Sequence, residues 1–161
     1  MLKFFNKNFI INIIIVTSIF FLDRISKIYV ISQFEKNFSP ELFTSKYLNI
    51  TLIWNEGIAF GLFSFDEKLY YNFLTIFICL ITVIIIWLMF RSSGFEKLSY
   101  MMIIGGSLGN IFDRIFYSAV PDFIDIHINN FHWFIFNVAD IFITLGVLSL
   151  IYIEIMVKKK T

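Results

Sequence analysis

The chain has 161 residues, of which 58% are hydrophobic and only 16% are charged, and its formal net charge is +1. Soluble proteins carry about 25% charged residues, so a soluble fold of this size would leave too much apolar surface in water. The composition indicates a single integral membrane domain over residues 1–161. No basic cluster lies outside the expected membrane flanks, so no nucleic-acid partner is expected, and the single cysteine, Cys79, excludes an internal disulfide.

The first apolar run covers about residues 8–31 and is long enough to cross roughly 30 Å of hydrocarbon. Two lysines precede it, as in a signal peptide, but the run is too long, lacks a small-residue cleavage site and carries charges near its far end. Among those charges, Asp23 and Lys27 lie four residues apart, on one face of a helix. We therefore predict an uncleaved spanning helix whose ion pair is either self-contained at the interface or an anchor for a functional site.

The following segment, about residues 33–68, is polar enough to leave the membrane. Its middle, residues 47–54, is rich in β-branched and aromatic side chains, which is typical of a strand. The motif NEGIAFG follows at residues 55–61, where glycine permits positive φ or close backbone approach. The segment is predicted to form a small sheet-like platform on the membrane surface.

Three further spanning helices are predicted at about residues 69–90, 98–116 and 137–157, which makes a four-transmembrane-helix bundle, all-α apart from the platform. In the third span, Gly105, Gly106 and Gly109 would permit close helix packing. Basic residues are unevenly distributed: seven lie at the termini and the 91–97 turn, against three in the platform segment. The positive-inside rule therefore predicts cytoplasmic termini and a platform on the outer, periplasmic face.

The stretch Gly105–Asp140 carries the candidate chemistry. Asp122 and Asp140 stand at the facing ends of the third and fourth spans, where ionisable groups are costly and usually functional. A short aromatic loop is predicted between Asp122 and the fourth span. Two carboxylates that approach closely share one proton, so one can activate water while the other protonates a carbonyl oxygen. This pattern predicts an aspartate dyad that cleaves a peptide bond without metal or cofactor. Asp113 is expected to neutralise Arg114 or a partner helix, and Asp125 is expected to be exposed.

Other chemistries are weaker. Cys79 lies within a span without a nearby base, and Ser26 and Lys27 are neighbours that point to different sides of a helix. A metal site built from Asp125 and the two histidines, His127 and His132, remains open, although interfacial histidines in an aromatic belt explain them more simply.

A four-span transporter or proton-conducting protein that uses the same ionisable residues is the alternative function. Against it stand the absence of an internal inverted repeat and the concentration of acids at one face. A structural membrane subunit would leave the two aspartates unexplained.

Five blocks of the chain together resemble the lipoprotein signal peptidases (signal peptidase II), in order and in topology. The blocks are DRISK at 23–27, NEGIAFG at 55–61, GNIFDR at 109–114, VPDF at 120–123 and FNVAD at 136–140. The resemblance implies an aspartyl endopeptidase of the bacterial inner membrane, with lipid as its surroundings. Its substrates would be diacylglyceryl-modified prolipoproteins, cut just before the lipidated cysteine, and a monomer is expected.

The resemblance also carries site residues onto this chain. The catalytic pair falls on Asp122 and Asp140, and positions that hold substrate or support the pair fall on Asn55, Gly57, Asn110, Arg114 and Asn137, with Asp23 and Lys27 in the first block. Two departures are present: Pro121 stands where an aliphatic residue is usual, and Ser118-Ala119 replaces an approach that commonly contains glycine. Proline biases its predecessor toward extended backbone, so the segment entering Asp122 is expected to differ locally.

Overall fold

The computed structural model describes residues 7–37, 41–57, 67–129 and 131–158, in which long helices alternate with short strands. The elements of this part, in chain order, are α1 (Lys7–Asn37), β1 (Glu41–Thr44), β2 (Leu48–Asn55), α2 (Glu67–Arg91), α3 (Gly94–Tyr117), β3 (Val120–Ile128), β4 (Phe131–His132) and α4 (Val138–Lys158). The shortest helix, α4, has 21 residues, or about 30 Å at 1.5 Å per residue, which matches the hydrocarbon thickness of a bilayer.

Within the residues that the structure describes, three helical segments are long and apolar enough to cross a membrane: Phe9–Lys36, Tyr71–Arg91 and Val138–Met156. Large apolar side chains on these helices point outward, where a bilayer would cover them, as Phe73, Ile84 and Ile151 do. Helix α3 is 24 residues long but carries four charged residues, Glu96, Lys97, Asp113 and Arg114, which lower its hydropathy. The described part of the chain is thus mostly helical, with three candidate membrane spans and a fourth long helix, α3.

Helix α3 is the central element, because it packs against each of the other three helices. Close approach depends on its glycines, as expected for Gly105, Gly106 and Gly109. A Cβ at Gly106 would lie 2.5 Å from the carbonyl oxygen of Ala139, and one at Gly109 would collide with the Asp23 carboxylate. Because the Ala139 backbone cannot yield and the Asp23 carboxylate is held by its own hydrogen bonds, glycine is what allows α4 and α1 to lie this close to α3.

The four strands form one antiparallel sheet in the order β1-β2-β3-β4. Strand β2 lies within the predicted platform, but β3 and β4 fall where we predicted a short aromatic loop, so that prediction is wrong. The alternation of Ile124, Asp125, Ile126, His127 and Ile128 is the strand signal for this region. Pro121 occupies the second position of β3 and follows an extended Val120, as the residue before a proline should be.

The helices occupy the predicted segments to within four residues at each end, except that α1 continues six residues further, to Asn37. Residues 33–37, which we assigned to the platform, are therefore helical. The motif residues 58–61 lie outside the described part of the chain. Between α1 and the sheet, Val30, Leu52 and Phe123 form a buried apolar cluster, which holds the sheet at one end of the helices.

The interior is unusual in its polarity. The largest fully buried side chains in the described part of the chain are Lys27, Asn137, Asp23, Asp113, Pro121 and Ser99. Most of them are polar or charged, whereas the helices expose their apolar side chains. This distribution suits a protein surrounded by lipid, because buried polar groups then need partners inside the protein.

Candidate active site

Asp122 is held by two asparagine side chains from different elements. It lies on β3, opposite Ile53 of β2, and only 4% of its surface is exposed. Asn55, at the end of β2, donates from Nδ2 to Asp122 Oδ2 at 2.9 Å, and Asn137 Nδ2 donates to Oδ1 at 2.6 Å. Both carboxylate oxygens therefore have a donor, which fixes the plane of the carboxyl group.

Asp140 belongs to the N-terminal cap of α4. Asn137 precedes the helix and accepts a hydrogen bond at Oδ1 from the Asp140 backbone N–H at 3.1 Å. The Asp140 carboxylate returns the contact, because its Oδ2 accepts the Asn137 N–H at 3.1 Å. This reciprocal pattern is a capping box with aspartate at its third helical position. Asp140 Oδ1 accepts a further hydrogen bond from Asn110 Nδ2 at 2.8 Å.

Asn137 links the two carboxylates. It is fully buried, donates its side-chain N–H to Asp122, and donates its backbone N–H to Asp140. The same Nδ2 also reaches Asn110 Oδ1, at 3.2 Å. One residue thus sets the position of a carboxylate on the sheet relative to a carboxylate on a helix.

The environment of Asp122 favours its protonated form. Burial raises the pKa of Asp122 from 3.8 to about 6, since desolvation penalises the charged carboxylate. The negative charge of Asp140 acts in the same direction, while the hydrogen bonds from Asn55 and Asn137 oppose the rise. A carboxyl that holds its proton near neutral pH beside a second carboxyl is the arrangement that acid–base catalysis requires.

Behind the two aspartates lies a buried cluster of charges between α1 and α3. Lys27 Nζ donates to Asp23 Oδ2 at 2.8 Å, to Asp113 Oδ2 at 2.6 Å and to Asn110 Oδ1 at 2.9 Å. Arg24 also pairs with Asp113, at 2.5 Å. All three donor sites of the lysine ammonium are used, so its charge is balanced without water. Asn110 joins this cluster to Asp140.

Of the two partners expected for Asp113, Arg114 or a partner helix, the structure contains the second, because Asp113 pairs with Lys27 and Arg24 of α1. Arg24 was not among the site residues expected from the sequence. Its position next to Asp23, on the face that meets α3, is the signal that was available. Arg114 donates to the Asn110 carbonyl oxygen at 3.1 Å, on its own helix. Gly57 has a φ of 75° and donates its N–H to Asn55 Oδ1 at 2.8 Å, so its positive φ stabilises the end of β2.

Asp125 is buried, not exposed as expected, with 4% of its surface accessible. The reason is its place in β3, where it pairs with Asn49 of β2 and contacts His132 of β4. A residue of a loop would have been solvated, but a residue of an inner strand is covered by its neighbours. Asp125 shares no hydrogen bond with Asp122 or Asp140 among the described contacts, so it is separate from the pair.

In the described part of the chain, one cleft is lined by Asp140 and another is lined by Asp122. An apolar cleft of about 450 Å³ lies between the β3–β4 hairpin and α4, and Asp140 is among its lining residues, with Phe134, Phe136, Ile141 and Leu145. A second cleft, of about 370 Å³, is polar and is lined by Asn55, Glu56 and Asp122. The carboxylates therefore stand where an apolar ligand on one side and water on the other could both approach.

Comparison with known proteins places the chain among membrane peptidases. A family model described as "Signal peptidase (SPase) II" matches residues 15–156. A "Lipoprotein signal peptidase" from Pelagibacter ubique is 47% identical over 154 residues, which cover 96% of this chain and 93% of that protein. One from Anaplasma marginale is 35% identical, over 96% of this chain and 89% of that protein.

Solved structures agree with these relatives. One described as a bacterial membrane enzyme structure has a TM-score of 0.70 and 26% sequence identity, with 93% of this chain and 90% of that chain covered. A second with the same description has a TM-score of 0.71 and 27% identity over 88% and 90% of the two chains. Together, the family match and the extent of identity show that this chain belongs to the signal peptidase II family.

Proposed function

We propose that this protein is a membrane aspartyl endopeptidase that removes signal peptides from diacylglyceryl-modified prolipoproteins, cutting before the lipidated cysteine. Family membership supports peptide-bond cleavage on prolipoproteins. The single observation that carries the aspartyl mechanism is the bridge through Asn137, which joins one carboxylate with a raised pKa to a second carboxylate.

In this proposal, Asp140 is the general base and Asp122 is the general acid. Asp140 accepts hydrogen bonds on both oxygens and lies in the first turn of α4, where the helix dipole favours a negative charge. Asp122 has a raised pKa of about 6 and is therefore the better proton carrier. In catalytic carboxyl pairs, the two environments push the pKa values apart, so that one group acts as the acid and the other as the base.

The reaction then proceeds with balanced protons. Asp140 takes a proton from water as the water oxygen attacks the scissile carbonyl carbon, while Asp122 gives its proton to the carbonyl oxygen. The product of this step is a neutral tetrahedral diol between the two carboxyl groups. Asp140 then protonates the amide nitrogen, the C–N bond breaks, and Asp122 recovers a proton from the diol. The original protonation states are restored without a covalent enzyme intermediate.

The two clefts suit a substrate that is partly lipid. The apolar cleft beside Asp140 offers aromatic and aliphatic walls for hydrocarbon, and the polar cleft beside Asp122 offers a route for water. Each buried CH₂ of an acyl chain contributes about 0.8 kcal/mol of binding. Part of that binding would position the scissile bond, so lipid would raise turnover as well as affinity.

The same proposal includes the membrane setting. Four spans, with α3 as the central one, would bring the sheet and both aspartates to one end of the bundle. The distribution of basic residues favours cytoplasmic termini and a periplasmic site in the bacterial inner membrane. Surrounding lipid would cover the outward apolar side chains, and the enzyme would act as a monomer because one chain contains both aspartates.

The test uses purified protein in detergent, with a diacylglyceryl-modified prolipoprotein peptide and the same peptide carrying an unmodified cysteine. Wild-type protein should cleave the modified peptide before its cysteine, and Asp122→Asn and Asp140→Asn should each lose at least a hundredfold in kcat. The matched control is Glu35→Gln. It neutralises an exposed acid near the C-terminal end of α1, outside the candidate site, and should keep wild-type turnover.

Substantial turnover by either aspartate variant would remove the dyad. Equal cleavage of the modified and unmodified peptides would remove lipid recognition and leave the peptidase intact. Ion or solute flux in proteoliposomes without peptide cleavage would favour the transporter instead. Each variant must be shown folded, by its thermal transition, before its activity is interpreted.

A further inference from the structure

Three side chains with metal-binding atoms meet on the β3–β4 hairpin, apart from the paired aspartates. Asp125 and His127 are two residues apart on β3, so they lie on the same face of the sheet. His132 of β4 is the cross-strand partner of His127, and partners in an antiparallel pair share a face. The strand period and the register therefore place one carboxylate and two imidazoles together.

The distances between these groups suit a single ion. One potential ligand atom from each residue lies within 4.8 Å of the other two. His132 Nδ1 is 2.9 Å from Asp125 Oδ2, and His127 Nδ1 is 3.9 Å from the same oxygen. In a tetrahedral zinc site with bonds of 2.0–2.1 Å, neighbouring ligand atoms are about 3.4 Å apart. These two separations lie on either side of that value, and every pair of ligand atoms lies within 4.8 Å, so a local adjustment of the side chains would let them surround one ion.

The second observation is an unsatisfied nitrogen. The His127 side chain is 10% exposed, and its Nδ1 is buried without a hydrogen-bond partner among the described residues. Buried polar atoms are almost always paired, so an orphan atom points to a missing water or ion. A hydrogen bond to Asp125 accounts for the position of the His132 side chain without any metal. It does not account for His127 Nδ1, which has no partner among the described residues.

The surrounding strands hold the cluster in place. Asn49, opposite Asp125 on β2, donates from Nδ2 to Asp125 Oδ2 at 3.4 Å. The His127 backbone N–H donates to the Tyr47 carbonyl oxygen at 3.1 Å. The imidazole rings are nearly parallel, with their centroids 4.9 Å apart, so one ring must rotate about its Cβ–Cγ bond for both rings to direct a nitrogen at one ion. Metal sites need groups that hold the ligands in position as well as the ligands themselves. Here Asn49 orients the Asp125 carboxylate, and the backbone hydrogen bond of His127 fixes the strand that carries its imidazole.

We propose that Asp125, His127 and His132 bind one divalent transition-metal ion, with Zn²⁺ as the ion to test. Two imidazoles and a carboxylate are a donor set that zinc accepts, with a fourth position left for water. The ion would tie β3 to β4 across the hairpin. Because His127 also lines the apolar cleft that contains Asp140, the metal would stiffen one wall of that cleft.

The experiment measures metal binding by full-length protein in detergent, prepared without a histidine tag and freed of metal with a chelator that is then removed. Zn²⁺ is titrated in competition with a chromophoric indicator, and Co²⁺ absorption reports the coordination. We expect one ion per chain, and at least tenfold weaker binding in His127→Ala and in His132→Ala. Asp122→Asn should bind as wild type does, because it removes a neighbouring buried carboxyl that is outside the proposed site.

A second readout avoids dependence on variants that fail to fold. The chain contains only two histidines, so histidine modification by diethyl pyrocarbonate reports on this cluster alone. Zn²⁺ should protect wild-type protein from modification and raise its Tm. The absence of bound ion or of protection in wild-type protein would overturn the proposal. So would wild-type affinity in both histidine variants, or loss of binding in Asp122→Asn, which would move the metal to the paired aspartates.

Discussion

The Asp23 carboxylate of α1 accepts the backbone N–H of Ala139 at 3.0 Å, and this contact caps helix α4 directly before Asp140. The first N–H groups of a helix have no partner within the helix, so a side chain from another element must satisfy them. The other oxygen of Asp23 accepts from Lys27. A single buried carboxylate therefore connects the charged cluster of α1 and α3 to the backbone that carries the proposed general base.

Substitution of Asp23 should harm both stability and turnover. Asp23→Ala removes the cap and one of the two anions around Lys27, and breaking a buried pair in this way costs about 3–5 kcal/mol. Asp23→Asn keeps an oxygen for the Ala139 N–H and should lose less. We expect a lower Tm and a lower kcat in the order wild type, Asn, Ala. A double variant, Asp23→Asn with Lys27→Met, should recover part of the lost Tm, since it removes the uncompensated charge as well.

An unchanged Tm in Asp23→Ala would show that the carboxylate is not needed as a cap. A double variant no more stable than Asp23→Asn would show that Asp113 alone suffices for Lys27. Glu35→Gln is again the control, because Glu35 is exposed on the same helix. The comparison uses thermal unfolding in one detergent and kcat at one pH.

Asn137 allows the cap of α4 to be separated from the contact with Asp122. Serine caps helices well, so Asn137→Ser should preserve the start of α4 while removing the Nδ2 donor to Asp122. Asn137→Ala removes both the cap and the donor to Asp122. The lost cap should lower the free energy of unfolding by about 1 kcal/mol, and the buried groups left without partners should lower it further. We expect both variants to lose turnover by tenfold or more, but only the alanine variant to show a large fall in Tm. Wild-type kcat in the serine variant would contradict a positioning role for the side chain.

Some of this arrangement was available from the sequence and some was not. Spacing and the cost of charge in a membrane were enough to propose Asp122 and Asp140 as one site, and the structure brings both into contact with Asn137. Hydropathy was enough to locate the helices. Asn137 contacts Asp122, 15 positions earlier in the chain, and Asp23 contacts Ala139, 116 positions later. A local sequence pattern cannot predict contacts between residues so far apart in the chain. The strands β3 and β4 were missed because aromatic and proline residues near them suggested a loop.

Topology should follow the distribution of basic residues. In a Cys79→Ala background, a cysteine at position 93 should be labelled only when membrane-impermeant reagent has access to the cytoplasm, and one at position 41 should be labelled from outside. Ser93 lies in the turn between α2 and α3, and Glu41 begins β1, after the end of α1. Both positions are therefore outside the helices. Labelling of position 93 from outside would invert the proposed orientation, and labelling of both from one side would contradict the number of spans between them.

Turnover should fall as the pH rises above about 6. The proposed acid must be protonated, and burial raises the pKa of Asp122 to about 6. The profile of kcat/KM should therefore have a descending limb with an apparent pKa near that value, which belongs to the pair and not to one residue. Asn55→Leu removes a hydrogen bond that favours the charged carboxylate but keeps the site covered, so its descending limb should move to higher pH. A limb that did not move, in a folded and active variant, would show that Asp122 is not the group that titrates.

The same raised pKa has a consequence for stability. The ordinary value of this carboxyl is 3.8 and its value in the folded protein is about 6, so the folded state binds more protons between the two. The contribution of Asp122 to the free energy of unfolding is thus greatest below pH 3.8 and declines as the pH rises toward and through 6. The difference of about two pKa units corresponds to about 3 kcal/mol. Asp122→Asn cannot ionise, so its Tm relative to wild type should be higher at pH 8 than at pH 4.5. A Tm difference between Asp122→Asn and wild type that is the same at pH 8 and at pH 4.5 would mean that Asp122 does not ionise at a cost to the fold.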